Sequence, residues 1–290
     1  LDDFFVEAPL ASLDNKIRHI FGMQIPKDWK VIKLGDYVTI ETGKRSKGGA
    51  LNHGKVASIG GEHIDNQGRI IWTNMKFIPE DFYNNLKQGK VRSGDILLVK
   101  DGATTGKVAF VKELLYSRAA VNEHVFIIRS NRKNKLLNEY LFYVLYSKIG
   151  QNQIKMKFHG MIGGIRRKEL KEIIIPLPSI EEQCRIVEVL STVDEAIRLV
   201  DESIARTERL KKGLMQELLT KGIGHKEFKQ TEIGKIPKEW KIVRLENITR
   251  KIIDSPHKIP KRISKGYPFV SVNYVLQFAD YNFYIDPNMD

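Results

Sequence analysis

The chain contains 290 residues, of which 42% are hydrophobic, so it has room for about two domains with at least one buried core, and its formal net charge is +13. Its apolar runs are short, such as residues 96–99 and 173–175, and its first residues are acidic, so we expect neither a membrane span nor a secretory signal. The single cysteine, Cys184, excludes internal disulfides and a cysteine-cluster zinc site, and we expect a soluble, cytoplasmic protein.

The positive charge is concentrated in one part of the chain. Residues 22–178 contain 27 Lys/Arg and 14 Asp/Glu, whereas residues 179–220 contain 6 and 9. A basic surface attracts polyanions, and each phosphate contact releases counterions. The charge therefore indicates nucleic-acid binding by residues 22–178, and the alternative is a solvated surface without a polyanionic partner.

The first part of the chain has the pattern of a mixed α/β module with many short strands. Turn residues at Asp101-Gly102 and Gly106 predict a hairpin. Apolar spacing predicts an amphipathic helix over residues 136–149, and a second short helix over 166–170 precedes a strand at 173–176. The other strands are predicted from their β-branched content at residues 37–42, 56–59, 95–100, 107–111 and 125–129.

A single long helix is predicted over residues 180–221. Pro176 and Pro178 prevent an earlier start, Ser179 with Glu182 matches a capping box, and Gly222 supplies a left-handed stop. At 1.5 Å per residue the helix would be roughly 63 Å long. Positions spaced alternately by four and three residues form the seam of a coiled coil, and Thr207 and Lys211 interrupt its apolar side chains, which are Ile186, Leu190, Val193, Ile197, Val200, Ile204, Leu214 and Leu218.

A helix of this length cannot bury its apolar seam on itself. The spacing therefore predicts a partner helix that packs along the seam, either antiparallel or related by symmetry. The alternative is that the helix lies on its own domain.

The opening of the first module recurs after the helix. Residues 25–34 return as residues 236–245, at an offset of 211, with six of the ten positions identical. A duplicated module indicates a function carried out in two halves. Only 55 residues (236 to 290) follow the second start, so we expect a fragment of something longer.

These residues resemble the DNA-specificity (S) subunits of type I restriction-modification systems. The resemblance covers nearly everything from residue 22 onward. It rests on Ile25-Pro26 with Trp29, on Gly94-Asp95-Ile96-Leu97 with Asp101-Gly102 and Gly106-Lys107, on Ile175-Pro176-Leu177-Pro178 with Glu182-Gln183 and Asp194, and on Leu210-Lys211-Lys212-Gly213-Leu214-Met215 with Leu218-Leu219-Thr220-Lys221-Gly222.

The resemblance implies a non-catalytic subunit that binds double-stranded DNA and needs no cofactor. Each of two target-recognition domains would read half of a split sequence, two antiparallel helices would act as a ruler, and methyltransferase subunits would dock there and be joined by motor-nuclease subunits. The implied layout is an N-terminal extension (1–21), a β-rich α/β target-recognition domain (22–178), a coiled-coil spacer helix (179–221), a linker (222–235) and the start of a second recognition domain (236–290).

The resemblance implies a second ruler helix after a complete second domain, beyond residue 290, so we expect the seam of this chain to be unpaired. We therefore expect self-association through the spacer helix. Candidate DNA contacts are basic, amide and hydroxyl side chains on Gly-rich connections, because loops carry adaptable contacts. They are Lys44, Arg45, Lys47, His53, Lys55, Thr104, Thr105, Lys107, Asn122, His124, Lys155, Lys157, Arg166 and Arg167.

The sequence argues against several enzyme functions. Residues 102–108 superficially match a phosphate-binding loop, but three residues instead of four separate the glycines and Val108 stands where a magnesium-binding Ser/Thr is needed. The seven histidines lack metal-ligand spacing. The remaining alternative to a DNA-recognition subunit is a coiled-coil scaffold whose basic domains bind nucleic acid without sequence preference.

Overall fold

A computed structural model describes residues 25–159 and 164–252, together with two short strands at 267–268 and 284–285. The expected extension at 1–21 and most of the second module beyond 252 lie outside the described residues. The chain divides into two compact units between Ala205 and Arg206. The strands are β1 Lys30–Lys33, β2 Val38–Thr42, β3 Val56–Ile59, β4 Lys76–Ile78, β5 Ile96–Val99, β6 Val108–Phe110, β7 Arg118–Val121, β8 Val125–Ser130, β9 Ile174–Leu177, β10 Phe228–Thr231, β11 Gly234–Pro237, β12 Tyr267–Pro268 and β13 Tyr284–Ile285.

Helices pack against two different cores of the first module and form the connection that follows it. They are α1 Glu80–Asn84, α2 Asn138–Tyr146, α3 Lys148–Met156, α4 Arg167–Lys171 and α5 Ile180–Lys221. The predicted mixed α/β architecture with a long helix is therefore confirmed.

The first module is built around a four-stranded antiparallel sheet in the order β2-β8-β5-β6. A three-stranded sheet, β4-β3-β7, pairs β3 with β4 antiparallel and with β7 parallel. The first and last strands of the module close together, because β1 pairs antiparallel with β9 and Lys30 lies opposite Leu177.

Both faces of the central strand β5 are buried, which explains its unbroken apolar run. Ile96 and Leu98 belong to a core with α2, α3 and β9, whereas Leu97 and Val99 belong to a core with β3 and β7. Since side chains alternate along a strand, the sheet separates two cores. The module is thus layered as helices, four-stranded sheet and three-stranded sheet.

The predicted helix over 136–149 is instead two helices, α2 and α3, which meet at Ser147. Ser147 has extended backbone angles, and its hydroxyl donates to the Val144 carbonyl at 2.8 Å. Gly150 lets α3 approach α2 closely, because a Cβ there would lie 2.4 Å from the Val144 oxygen. The apolar spacing could not distinguish this sharp corner from a continuous helix.

The long helix α5 has the bounds expected from its sequence. The Ser179 hydroxyl accepts a hydrogen bond from the Glu182 backbone N–H at 3.2 Å, and Gly222 stops the helix with φ +65°. The Glu182 carboxylate accepts a bond from Trp29 Nε1 at 3.0 Å and so ties the helix start to the module. The bounds, the Ser179 cap and the Gly222 stop are confirmed, whereas the Glu182 carboxylate bonds Trp29 instead of completing the predicted capping box.

The repeated opening has the same turns in both copies, but residues 30–33 form strand β1 whereas the equivalent residues 241–244 form no strand. The Trp29 N–H donates to the Pro26 carbonyl at 3.1 Å, and the Trp240 N–H donates to the Pro237 carbonyl at 3.0 Å. A 3-10 turn follows each, at Leu34–Asp36 and at Leu245–Asn247. The internal repeat is therefore visible in these turns but not in the strand between them.

Candidate nucleic-acid interface

Three loops leave the four-stranded sheet at the same end of its strands. Thr42 at the end of β2 lies opposite Phe126 near the start of β8, and Val99 at the end of β5 lies opposite Val125. Because neighbouring strands run antiparallel, the loops that follow β2 and β5 emerge beside the loop that precedes β8. We call residues 43–49, 100–107 and 122–124 the loop edge.

Close backbone contacts hold the first and third loops together. A Cβ on Gly43 would lie 1.9 Å from the Val121 carbonyl oxygen, so only glycine fits this approach. Arg45 Nε lies 3.6 Å from Glu123 Oε1. The 43–49 loop is thereby anchored at its base, whereas Lys44 and Lys47 are exposed and make no ion pair among the described residues.

The second loop is the expected hairpin tip, and some of its side chains donate hydrogen bonds to backbone carbonyls of the module. The Thr105 hydroxyl donates to the Gly102 carbonyl at 2.6 Å, and Lys107 Nζ donates to the Ile64 carbonyl at 3.2 Å. Thr104 lies against Gly61, whose added Cβ would be 2.7 Å from the Thr104 hydroxyl. Thr105 and Lys107 therefore shape the tip, since each is bonded to the backbone.

The third loop presents two side chains capable of reading base edges. The Asn122 Oδ1 accepts a bond from the His124 N–H at 3.0 Å, which fixes the turn into β8. His124 Nδ1 contacts the Asp101 carboxylate on the hairpin, so the second and third loops are joined by side chains. A histidine held in this way has a defined orientation at the edge.

The loop edge carries more cations than the sequence prediction assigned to it. Lys100, which was missed, precedes the hairpin tip, and its Nζ lies 3.5 Å from Asp101 and over the Phe126 ring. Its place directly before the Asp101-Gly102 turn was the available signal. The loop edge has two carboxylates (101 and 123) and five Lys/Arg side chains (44, 45, 47, 100 and 107), and Glu62 lies beside it at Gly60.

His53 and Lys55 lie away from the loop edge. They precede Val56 at the start of β3, whereas the far end of β3 leads to Gly60 beside Asn122. Lys55 lies 3.4 Å from Glu80, which also contacts Arg118. The hydrogen bond from Arg118 holds the pKa of Glu80 below its ordinary value. These two candidates therefore belong to a separate, ion-paired region.

The remaining basic candidates flank a segment that is tied to the hairpin. Gly164 forms a backbone bridge with Asp101, and Arg166 and Arg167 follow it on the surface. Glu169 accepts a bond from the Arg166 N–H at 2.8 Å and lies 2.6 Å from His159. Burial would raise the pKa of Glu169, but these bonds lower it. Lys155 and Lys157 end α3 on the same connection.

The predicted coiled-coil seam is divided in the structure. Ile186 packs against the core of the first module, so the domain covers the first turns of α5. The other seam residues are between 37% and 58% exposed, namely Leu190, Val193, Ile197, Val200, Ile204, Leu214 and Leu218. No partner helix covers them within the described chain, and the coiled coil stays a prediction.

The described residues form neither a metal-binding cluster nor a membrane-spanning helix. Within residues 25–159 and 164–252, no three His, Cys, Asp or Glu side chains converge to hold a metal ion. In the same ranges every helix is too short or too polar to cross a lipid bilayer. The loop edge brings five Lys/Arg side chains together on three adjacent loops.

The architecture is that of a β-rich module carried on a long helix, with a basic loop edge. A sequence model described as "Type I restriction modification DNA specificity domain" matches residues 26–209, which is well over half of the chain. The chain belongs to this family.

Two relatives match over part of their length. The MjaVIII specificity subunit of a type I restriction enzyme from Methanocaldococcus jannaschii is 29% identical over 243 residues, covering 81% of this chain and 52% of the relative. The EcoBI specificity subunit from Escherichia coli is 26% identical over 215 residues, covering 71% and 43%. The chain thus spans about half the length of these relatives.

Solved structures resemble the chain to a similar extent. The HsdS subunit from Thermoanaerobacter tengcongensis is 24% identical with a TM-score of 0.48, covering 69% of this chain and 50% of that one. A type I S subunit from M. genitalium is 18% identical with a TM-score of 0.49, covering 68% and 47%.

Proposed function

We propose that the chain is a DNA sequence-recognition component of a type I restriction-modification system, and that it has no active site of its own. The observation that carries the proposal is the family match across residues 26–209, which includes all three loops of the loop edge. In this proposal residues 22–178 form the first target-recognition domain, 179–221 the spacer helix, 222–235 a linker and 236–290 the start of a second recognition domain.

In this proposal the side chains of the loop edge have two roles, contact with phosphates and contact with base edges. Lys44, Lys47 and Lys100 are point charges suited to neutralising phosphates. Arg45, Asn122 and His124 have the donors and acceptors needed to read base edges in a groove. Since the loops leave a sheet that is buried on both faces, their bases are rigid and their tips remain adaptable.

Competition binding tests this function. The labelled duplex would be one taken from the methylated target of the intact system, and the competitor would be a duplex with one half-site scrambled. Sequence recognition predicts a preference of about 10³-fold or more. Equal competition by the scrambled duplex would instead favour a coiled-coil scaffold that binds DNA without sequence preference.

The exposed seam supports a second part of the proposal, which concerns assembly. In the complete system methyltransferase subunits would dock on the helical frame, and motor-nuclease subunits would join through them. In this chain the apolar row from Leu190 to Leu218 would be covered by the α5 helix of a second copy, because an exposed stripe of this length is costly in water.

Sedimentation or light scattering tests self-association. The wild-type chain should be a dimer at micromolar concentration, and Val200→Glu with Leu214→Glu should make it monomeric. The control is Glu208→Gln, which changes a charge on an exposed residue outside the seam. A monomeric wild-type chain would rule out this pairing without affecting the DNA-recognition proposal.

A further inference from the structure

The first module touches α5 far beyond the point where the helix begins. Tyr143 on α2 donates its hydroxyl hydrogen to Asp194 Oδ2 at 2.7 Å. Arg69, in the loop between β3 and β4, donates from Nη2 to Asp201 Oδ2 at 3.0 Å. We call the Tyr143–Asp194 and Arg69–Asp201 pairs the latch.

The latch residues form a row along one side of the helix. Asp194 and Asp201 are seven residues apart, so they face the same direction. The helix is first fixed at the buried Gln183, and Asp201 lies 18 residues further on, a distance of roughly 27 Å at 1.5 Å per residue. A contact this far from the junction controls the angle between module and helix more strongly than any contact near the junction.

Apolar packing cannot set this angle by itself. A cavity of about 160 Å³ lies between the module and α5, with Phe110, Phe142 and Tyr143 on one side and Ile197 and Arg198 on the other. The helix and the module are therefore not closely packed along this stretch. Polar contacts at the cavity rim join the two, namely the latch and an ion pair between Lys112 Nζ and Glu195 Oε2 at 3.8 Å.

Contacts within its own loop orient the Arg69 side chain independently of α5. Asp65 Oδ2 accepts a bond from Arg69 Nε at 3.2 Å, and Asp65 Oδ1 accepts bonds from the backbone N–H groups of Gln67 and Arg69. The guanidinium orientation is thus set by its own loop, and little further side-chain freedom is lost on binding Asp201. Burial also raises the pKa of Tyr143, so its hydroxyl stays a donor.

We infer that Asp194 and Asp201 are positioning residues that fix the angle of the recognition module on α5, and thereby the spacing accepted between two DNA half-sites. The consequence for spacing rests on the proposed function, whereas the angle does not. A displacement of one base pair, about 3.4 Å along the duplex, corresponds to a rotation of about 7° over a 27 Å arm. A small change at the latch is therefore sufficient to change the register.

Spin-label distances in the dimeric or monomeric full chain test the angle. Labels would be placed at Lys87→Cys and Ala205→Cys, both exposed, after Cys184→Ser removes the exposed native thiol. With the wild-type latch, the distance between the two labels of one chain should have a single narrow distribution. Asp201→Ala with Tyr143→Phe should broaden it or shift its maximum by about 3 Å, a displacement of one base pair.

Two variants separate positioning from general damage. Asp201→Glu keeps the carboxylate and should restore most of the narrow distribution, and Glu208→Ala on the exposed helix should not alter it. Unchanged distances in the double variant would overturn the inference, and so would loss of the folded circular dichroism signal in Asp201→Ala alone, because a positioning contact should not be needed for folding.

The spacing accepted between the two DNA half-sites is measured with the reconstituted methyltransferase complex. The wild type should select one spacing, and the double variant should also accept spacings one base pair longer or shorter. Broadened distances with unchanged spacing would overturn the spacing part. Absence of any sequence preference in the wild type would refute the proposed function and leave the distance result standing.

Discussion

Gln183 is the residue whose replacement should most clearly weaken the junction between module and helix. Its side chain is fully buried in the first turn of α5. The amide oxygen accepts a bond from the Leu137 N–H at 3.0 Å, and Nε2 donates to the Lys135 carbonyl at 2.9 Å and to the Pro178 carbonyl at 3.0 Å. Gln183→Leu keeps the volume but leaves three backbone groups without partners.

The expected loss of stability follows from those three unpaired backbone groups. At about 1 kcal/mol for each buried group left unpaired, the free energy of unfolding should fall by about 3 kcal/mol. This corresponds to a change of roughly 160-fold in the unfolding equilibrium constant. With a urea m-value of about 3 kcal/mol/M, the unfolding midpoint should fall by about 1 M.

Urea unfolding followed by circular dichroism measures this change. Gln216→Leu is the matched control, because Gln216 is exposed on the same helix and lies off the apolar seam. The control should stay within about 0.5 kcal/mol of wild type. If Gln183→Leu behaved like the control, the amide would not be the anchor that the hydrogen bonds indicate.

Three other predictions concern DNA affinity, the helix stop and acid stability. Replacing the three cations of the 43–49 loop with alanine should weaken DNA binding and reduce the slope of log affinity against log salt by up to about 2.7; an unchanged slope in a salt titration would remove the loop from the interface. Gly222→Ala should destabilise its unit by about 1–2 kcal/mol, because φ is +65° and the new Cβ would lie 2.9 Å from Trp240; thermal melting should show the loss, and a wild-type melting temperature would contradict it. Since Arg118 lowers the pKa of Glu80, their pair stabilises the fold above the ordinary carboxylate pKa of 4.5, and the stabilisation is lost as pH falls through the lower folded pKa. Glu80→Gln should flatten stability against pH in that acid range, and an unchanged acid profile would show that the pair contributes nothing.

Local signals in the sequence predicted the long helix and several strands. The bounds of α5 follow from Pro178, Ser179 and Gly222, which act within one or two turns of the helix ends. Strand β3 and the β5–β6 hairpin were predicted from β-branched residues and turn residues. By contrast β1, β4, β7, β10, β11 and α1 were missed, because they are short and β7 contains two alanines with weak strand preference.

Features that depend on distant parts of the chain could not be predicted. The pairing of Lys30 with Leu177 joins residues separated by most of the module. The loop edge needs the strand order, which shows that loops 43–49, 100–107 and 122–124 meet while His53 and Lys55 do not. The heptad spacing predicted an apolar seam but not that the module covers Ile186.

Sequencing of methylated bases in cells that carry the intact restriction-modification system tests the central claim most directly. Cells with this chain should show one two-part methylated sequence. Replacing the loop edge with that of a relative should change one half of the sequence and leave the other half intact. A methylation pattern that is the same with and without this chain would contradict the proposed role in DNA recognition.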